Sequence, residues 1–166
     1  SHTSTYGAIG VFSIGMGSTD VAISLACGKN WFRVPSTIKI VIKGKIPKGV
    51  YAKDIILSII KDIRSDGANY KAIEFYGPTL KDIDMDGRFT ICNMVVEMGA
   101  KCGFMPIDDI TLNWFKSVYP KNRKIEYLTA DEDAVYEGIK EYNIENLTPQ
   151  VSCPHSVDNV VSVSEL

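Results

Sequence analysis

Asn93 and Glu97 are the polar pair in the middle of the stretch Asp86-Gly87-Arg88-Phe89-Thr90-Ile91-Cys92-Asn93-Met94-Val95-Val96-Glu97-Met98-Gly99-Ala100. A four-residue step stacks two side chains on one face of a helix, and the pattern predicts a single helix over the whole stretch. Its remaining positions, including Phe89, Ile91, Cys92, Met94, Val95, Val96 and Met98, are apolar or small. A helix apolar almost all round is expected inside a protein. The Asn and the Glu would then be buried, and a buried carboxylate is costly unless something pairs with it. His2, in the opening run Ser1-His2-Thr3-Ser4-Thr5, is a candidate partner and one of two histidines in the chain. Taken alone, these residues fit equally a polar pair on a wet helix surface and an exposed terminal histidine.

The elements that must position them follow from periodicity. Gly7 to Gly17 is rich in small residues (Gly7, Ala8, Gly10, Ser13, Gly15, Gly17), a composition that lets backbone approach backbone or a ligand closely. It lacks the Gly-Lys-Ser/Thr ending of a phosphate loop. Ser18 is the expected N-cap of a helix over Thr19 to Cys27, ended by Gly28. Trp31 to Ser36 reads as a connector, with a domain boundary at residue 35. Thr37 to Lys43 partly alternates apolar and polar, a strand with one wetter face. Ile55, Ile56, Ile59, Ile60 and Ile63 make a helical stripe within Ala52 to Ser65, to be capped by Gly67.

Tyr70 to Tyr76 is predicted as a strand stopped by Gly77-Pro78. A helix is expected from about Ile107 to Val118, its opening Asp108 and Asp109 suiting the helix dipole. Tyr119 to Glu132 reads as loop, Ala134 to Tyr142 alternates weakly, and Leu147 to Val151 reads as an edge strand. Residues 155–166 read as a linker to a missing domain. Strands alternating with helices predict an α/β layered domain over residues 36–154.

With 166 residues, the chain can bury a real core. Its 18 Lys+Arg against 20 Asp+Glu leave no basic excess of the kind a nucleic-acid binder uses. Lys43-Gly44-Lys45 and Lys121-Asn122-Arg123-Lys124 read as solvated surface charge. No apolar run is long enough to span a membrane, and nothing marks a signal peptide. Cys27, Cys92, Cys102 and Cys153 show no C-x-x-C spacing, so zinc and dithiol templates fail, and the pattern suits a reducing cytoplasm. His155, beside Pro154, reads as structural.

Two segments carry a family resemblance. Ser1-His2-Thr3-Ser4-Thr5-Tyr6-Gly7-Ala8-Ile9-Gly10, followed by Gly17-Ser18-Thr19-Asp20, resembles the "SHT…GA.G…G.GSTD" stretch of the aconitase superfamily. Met85 to Met94 with Glu97 resembles its "M.GR.TICNM…E.G" helix, and the resemblance extends from Ser1 to about Val161. It is strongest toward the large subunits that isomerise 2-isopropylmalate to 3-isopropylmalate in leucine biosynthesis, with homoaconitase near behind. The resemblance implies a layered α/β/α aconitase-type domain, the central segment of such a subunit. Residues 1–35 would be the tail of a preceding domain.

The implied reaction is dehydration and rehydration of a hydroxy-dicarboxylate at a four-iron four-sulfur cluster. The resemblance further implies that His2 is an active-site histidine paired with Glu97 and that Ser1, His2 and Asn93 contact substrate. Asn93 and Glu97 would lie near the cluster-bound water without being ligands. His2, Asn93 and Glu97 are therefore expected to form one cluster. The family's Asp before the Ser is absent here, and its cluster-binding cysteines lie downstream in motifs resembling "SCTN" and "C..C", which this chain lacks. Cys92 is expected to point away from the site, so no metal ligand is assigned. The chain is expected to be a piece of a longer polypeptide and inactive alone. The proton-abstracting base would come from a separate small subunit, and a further His–carboxylate pair from upstream of Ser1. Tyr6 stands where many relatives carry His. An RNA-binding role, known for some cluster-free aconitase relatives, is disfavoured by the balanced charge, and a purely structural helix is the remaining alternative.

Overall fold

A parallel sheet with flanking helices organises the chain in the computed structural model, which describes residues 2–119 and 126–166. The basic run from Lys121 to Lys124 lies outside the described residues. β1 (Thr37–Lys43) buries Ile38, Ile40 and Ile42 on one face and leaves Thr37, Lys39 and Val41 half-buried on the other. It pairs in parallel with β2 (Ala72–Tyr76) and with β4 (Gly138–Asn143), while β3 (Cys102–Phe104) extends the sheet beyond β2. The order is β3-β2-β1-β4. Parallel neighbours need long crossovers, and these are supplied by α2 (Ala52–Ile63), α3 (Met85–Met94) and α4 (Asp109–Val118). The isoleucine stripe of α2 joins Ile38, Ile40, Ile42, Ile73 and Phe75 in one core. β4 alternates weakly because it is an edge strand, with Ile139 largely exposed.

The other face of the sheet is polar and tightly satisfied. Lys39 and Glu74 are register partners. The buried Glu74 carboxylate accepts from Tyr76 Oη at 2.6 Å and from Tyr136 Oη at 2.8 Å, and Lys39 Nζ stands 4.2 Å from the centre of the Tyr76 ring. Burial, reinforced by the neighbouring carboxylate, pushes the Tyr76 phenol above its ordinary pKa. Glu74→Ala should therefore cost about 1–3 kcal/mol by stranding two hydroxyls. Glu74→Gln, which keeps an acceptor, should lose less; thermal unfolding of the pair measures the difference.

Several boundaries differ from the expectations. Ser18 is the first residue of α1 (Ser18–Cys27) rather than its cap, which is Gly17. α2 stops at Ile63, short of Gly67: Asp158 accepts from the Ser65 N–H and pairs with Arg64 at 3.1 Å, fastening the helix end. Asp158 belongs to the stretch expected to be a linker. There β6 (Val160–Ser162) pairs antiparallel with β5 (Gln150–Ser152), a three-residue ladder too short for alternation to reveal. Asp54 ties this hairpin to the domain, taking the Tyr51 N–H and the Gln150 N–H at 2.7 Å each.

The predicted helix over residues 86–100 divides. α3 ends at Met94, and a 3-10 turn, Val95–Met98, follows. Gly99, at φ +85°, closes that turn, a left-handed conformation that glycine adopts without a Cβ penalty. The cause is tertiary: the N–H groups of Ala68 and Tyr70 both donate at 3.0 Å, to the Met98 and Gly99 carbonyls, and draw the chain off the α-helical path.

Candidate functional site

A 3-10 turn, Thr3–Ile9, brings the amino end onto α3 and β3. The approach is backbone to backbone. Met105 N–H donates to the Gly7 carbonyl at 3.1 Å, and a Cβ on Gly7 would sit 1.7 Å from the Gly103 carbonyl oxygen. Ser4, Gly7 and Ala8 are buried in this contact. The small-residue reading of this segment thus has a defined physical role: it lets the turn lie against the sheet domain.

The turn sets three side chains around Asn93. Ser4 Oγ donates to the Asn93 carbonyl at 3.1 Å, and Asn93 Nδ2 lies 2.9 Å from Thr5 Oγ1 and 2.8 Å from His2 Nδ1. His2 and Asn93 thus meet across 91 residues of sequence. The expected His2–Glu97 pair does not form. Among the described residues no hydrogen bond or ion pair joins them, and Glu97 is exposed in the 3-10 turn rather than buried. A 3-10 turn rotates each residue further than an α-helix does, so Glu97 no longer stacks beneath Asn93. Ser1 lies outside the described residues. Tyr6 and His155 are exposed. Sequence reasoning missed Ser4 and Thr5 as contributors. No turn was expected at residues 3–9, and only the 3-10 geometry carries Ser4 and Thr5 with His2 onto the same helix.

Arg88, also missed, is the most heavily bonded side chain near the site and is fully buried. Its Nε donates to the Ile83 carbonyl at 3.1 Å and Nη2 to the Leu80 carbonyl at 2.8 Å. Asp108 accepts from Nη1 at 2.8 Å and Nη2 at 2.6 Å, and Thr111 Oγ1 takes the last Nη1 hydrogen at 3.1 Å. All five guanidinium donors are therefore used, which leaves none for a ligand. Asp108 also caps α4, accepting from the Ile110 and Thr111 N–H groups. Desolvation alone would raise the Asp108 pKa, but Arg88 and the Thr111 N–H outweigh it and hold the carboxyl below its usual range.

The cysteines do not build a cluster-ligand set. Cys27 is exposed and Cys153 half-buried. Cys92 and Cys102 are buried, and burial pushes both thiols up, Cys102 to about 12. A metal-ligating sulfur is a thiolate, so these two sites oppose that role. Among the described residues no group of three or more His, Cys, Asp or Glu is placed to hold a metal ion. Among the described residues, these side chains do not fit an iron–sulfur cluster.

A cleft of about 950 Å³ opens where β1 and β2 end, between the loops that lead into α2 and α3. Val50, Tyr51 and Ile83 line it, with Lys45, Lys53, Lys81 balanced by Asp82, Asp84 and Asp86. Asp86 and Thr90 of α3 face it, and Asn93 lies one turn beyond Thr90. No helix is long and apolar enough to cross a membrane, among the described residues.

The comparisons with known proteins agree with this architecture. The aconitase family (aconitate hydratase) model matches residues 1–166. The chain is 52% identical over 166 residues to 3-isopropylmalate dehydratase large subunit 1 of Thermotoga maritima and 49% identical to large subunit 2 of Archaeoglobus fulgidus; each match covers 100% of the chain and 40% of the relative. It is 46% identical to the large subunit of Oleidesulfovibrio alaskensis, covering 39% of that protein. The chain thus spans about 40% of the length of the relatives it matches. With its whole length matched by one family model and its parallel sheet flanked by helices, this chain belongs to the aconitase family.

Proposed function

We propose that this chain is the central segment of a hydro-lyase large subunit that isomerises 2-isopropylmalate to 3-isopropylmalate by removing and re-adding water. The observation that carries the reading is the meeting of His2 and Asn93, held by Ser4 and Thr5 from the opposite element. These are polar groups with ring and amide atoms available at a surface, the kind of array that binds a hydroxyl and carboxylates. In this reading His2 and Glu97 support proton transfer, and Asn93, His2 and Ser1 contact the substrate. The exposure of Glu97 supports a role toward something outside this chain, since a carboxylate already buried in an ion pair would be spent.

The parent enzyme's four-iron four-sulfur cluster, a Lewis acid for the C–O bond, would be held by residues outside this segment. A small subunit would carry the base that removes the substrate proton. The remainder of the large subunit would cover the exposed apolar residues around α1, among them Leu25, Trp31 and Val34. Four unpaired cysteines support a cytoplasmic setting.

The test uses the complete two-subunit enzyme. Glu97→Gln and Asn93→Ala should each lower turnover of 2-isopropylmalate by about 10²–10⁴-fold, and the 166-residue chain alone should show none. Turnover unchanged by both substitutions would favour a structural helix. Faster turnover of homocitrate analogues would move the assignment to homoaconitase chemistry.

A further inference from the structure

We propose that Ser4 is a positioning residue: its buried hydroxyl clamps the 3-10 turn to α3 and so sets where the His2 imidazole stands in the substrate site. The proposal rests on the functional reading above for the identity of the reaction. Ser4 Oγ lies 3.1 Å from the Asn93 carbonyl oxygen. A carbonyl accepts and never donates, so the sense of this bond is fixed: Ser4 gives its one hydrogen to the Asn93 main chain. At 2% exposure, Ser4 sits out of reach of bulk water that could replace it.

The surroundings decide which partner is the anchor. Asn93 belongs to the last turn of α3, a helix packed against α2 in the core and tied down by the buried Arg88. Its main chain is the fixed side of the bond, and the turn is the side that Ser4 holds. Three residues per turn divide the Thr3–Ile9 segment into lines. Ser4 and Gly7 share the buried line: Ser4 bonds α3, and the Gly7 carbonyl takes the Met105 N–H. His2, the N-cap of the turn, and Thr5 share the next line, which meets the Asn93 side chain. The His2 ring is exposed, and among the described residues its one side-chain hydrogen bond goes to the Asn93 amide. Ser4 clamps the buried line two positions from His2, whereas Gly7 lies five positions away. Without the Ser4 bond, the end of the turn that carries the imidazole is free to lift from α3.

The experiment is a double-mutant cycle in the complete two-subunit enzyme. Ser4→Ala should lower kcat/KM for 2-isopropylmalate about tenfold, the scale of one neutral hydrogen bond. In a His2→Gln background there is no imidazole to misplace, so the further loss on adding Ser4→Ala should shrink below about twofold. Ser4→Cys, close in size and a weaker donor, should fall between wild type and Ser4→Ala, and it carries the same cycle if Ser4→Ala does not fold. Ser58→Ala, which removes a hydroxyl-to-carbonyl bond of 2.7 Å inside α2, is the matched control and should leave kcat/KM unchanged. Losses that simply multiply in the double mutant overturn the proposal, since Ser4 would then act independently of His2. If His2→Gln and Asn93→Ala lower turnover while Ser4→Ala does not, the positioning role alone falls. If His2→Gln and Asn93→Ala leave turnover intact, the functional reading falls and takes the proposal with it.

Discussion

Arg88→Met should destabilise the large subunit by about 3–5 kcal/mol, the range seen when one member of a buried ion pair is removed. Met approximates the volume of the aliphatic stem, so packing loss is a small part of this. The cost falls on the groups left behind. The Ile83 carbonyl loses its guanidinium donor inside the protein, the Leu80 carbonyl is left with the Ile83 N–H alone, and Thr111, itself buried, loses a further donor. Asp108 is better placed to recover, because its side chain is 39% exposed and water can reach it. The converse substitution, Asp108→Ala, should be at least as damaging, since it strands a guanidinium that is 0% exposed and uncaps α4. Denaturant unfolding measures both; a loss under about 1 kcal/mol for Arg88→Met would contradict the account.

The pair also has a pH signature. In the folded protein the Asp108 carboxyl lies below the ordinary range of an aspartate. A group whose folded pKa is depressed stabilises fully above its unfolded value and loses that contribution as the pH falls through the folded one. The stabilisation from this pair is therefore present at neutral pH and is lost progressively in acid, as the pH falls below the ordinary aspartate range through the depressed folded value. Arg88→Met should flatten that part of the acid unfolding profile.

Gly7→Ala is expected to have the second large effect. A methyl group at that position would meet the Gly103 carbonyl oxygen at 1.7 Å and its carbon at 2.7 Å. Both are backbone atoms of β3, so no side chain can swing aside. The 3-10 turn must lift, breaking the Met105-to-Gly7 hydrogen bond and withdrawing Ser4, Thr5 and His2 from Asn93. Overpacking of this kind costs about 1–3 kcal/mol, occasionally more. Activity should fall further than stability, because displacing a positioned group by about 1 Å can cost 10²-fold. In the complete enzyme we expect a loss of about that size with the fold largely retained. A Gly7→Ala enzyme with wild-type turnover would mean the turn does not hold the site.

Much of the fold was legible because local periodicity and burial coincide. The alternation of Thr37 to Lys43 and the isoleucine stripe of α2 each report one buried face, and the structure buries those faces. A helix from about Ile107 to Val118 was readable for a similar local reason, its acidic opening suiting the helix dipole, and the structure starts α4 two residues later with Asp108 as its cap. The site was legible in part. A helix with Asn93 on it and an amino-terminal histidine were both evident, and the structure brings those two into contact.

What spacing could not reveal is where long-range bonds override it. The sequence by itself determined the longer strands and helices, β1, α2, β2 and α4 among them, and that the stretch before Gly17 can approach another backbone, since these depend on side-chain periodicity and the absence of Cβ atoms. Only the tertiary structure decided that His2 bonds Asn93 rather than Glu97. The Ala68 and Tyr70 amides, far from the helix in sequence, tighten it after Met94 and turn Glu97 out to solvent. The same holds for Arg88, whose five acceptor atoms come from two separate stretches of chain, residues 80–83 and 108–111. A hydrogen bond between distant residues leaves no periodic trace, so its consequences emerge only once the chain has closed on itself.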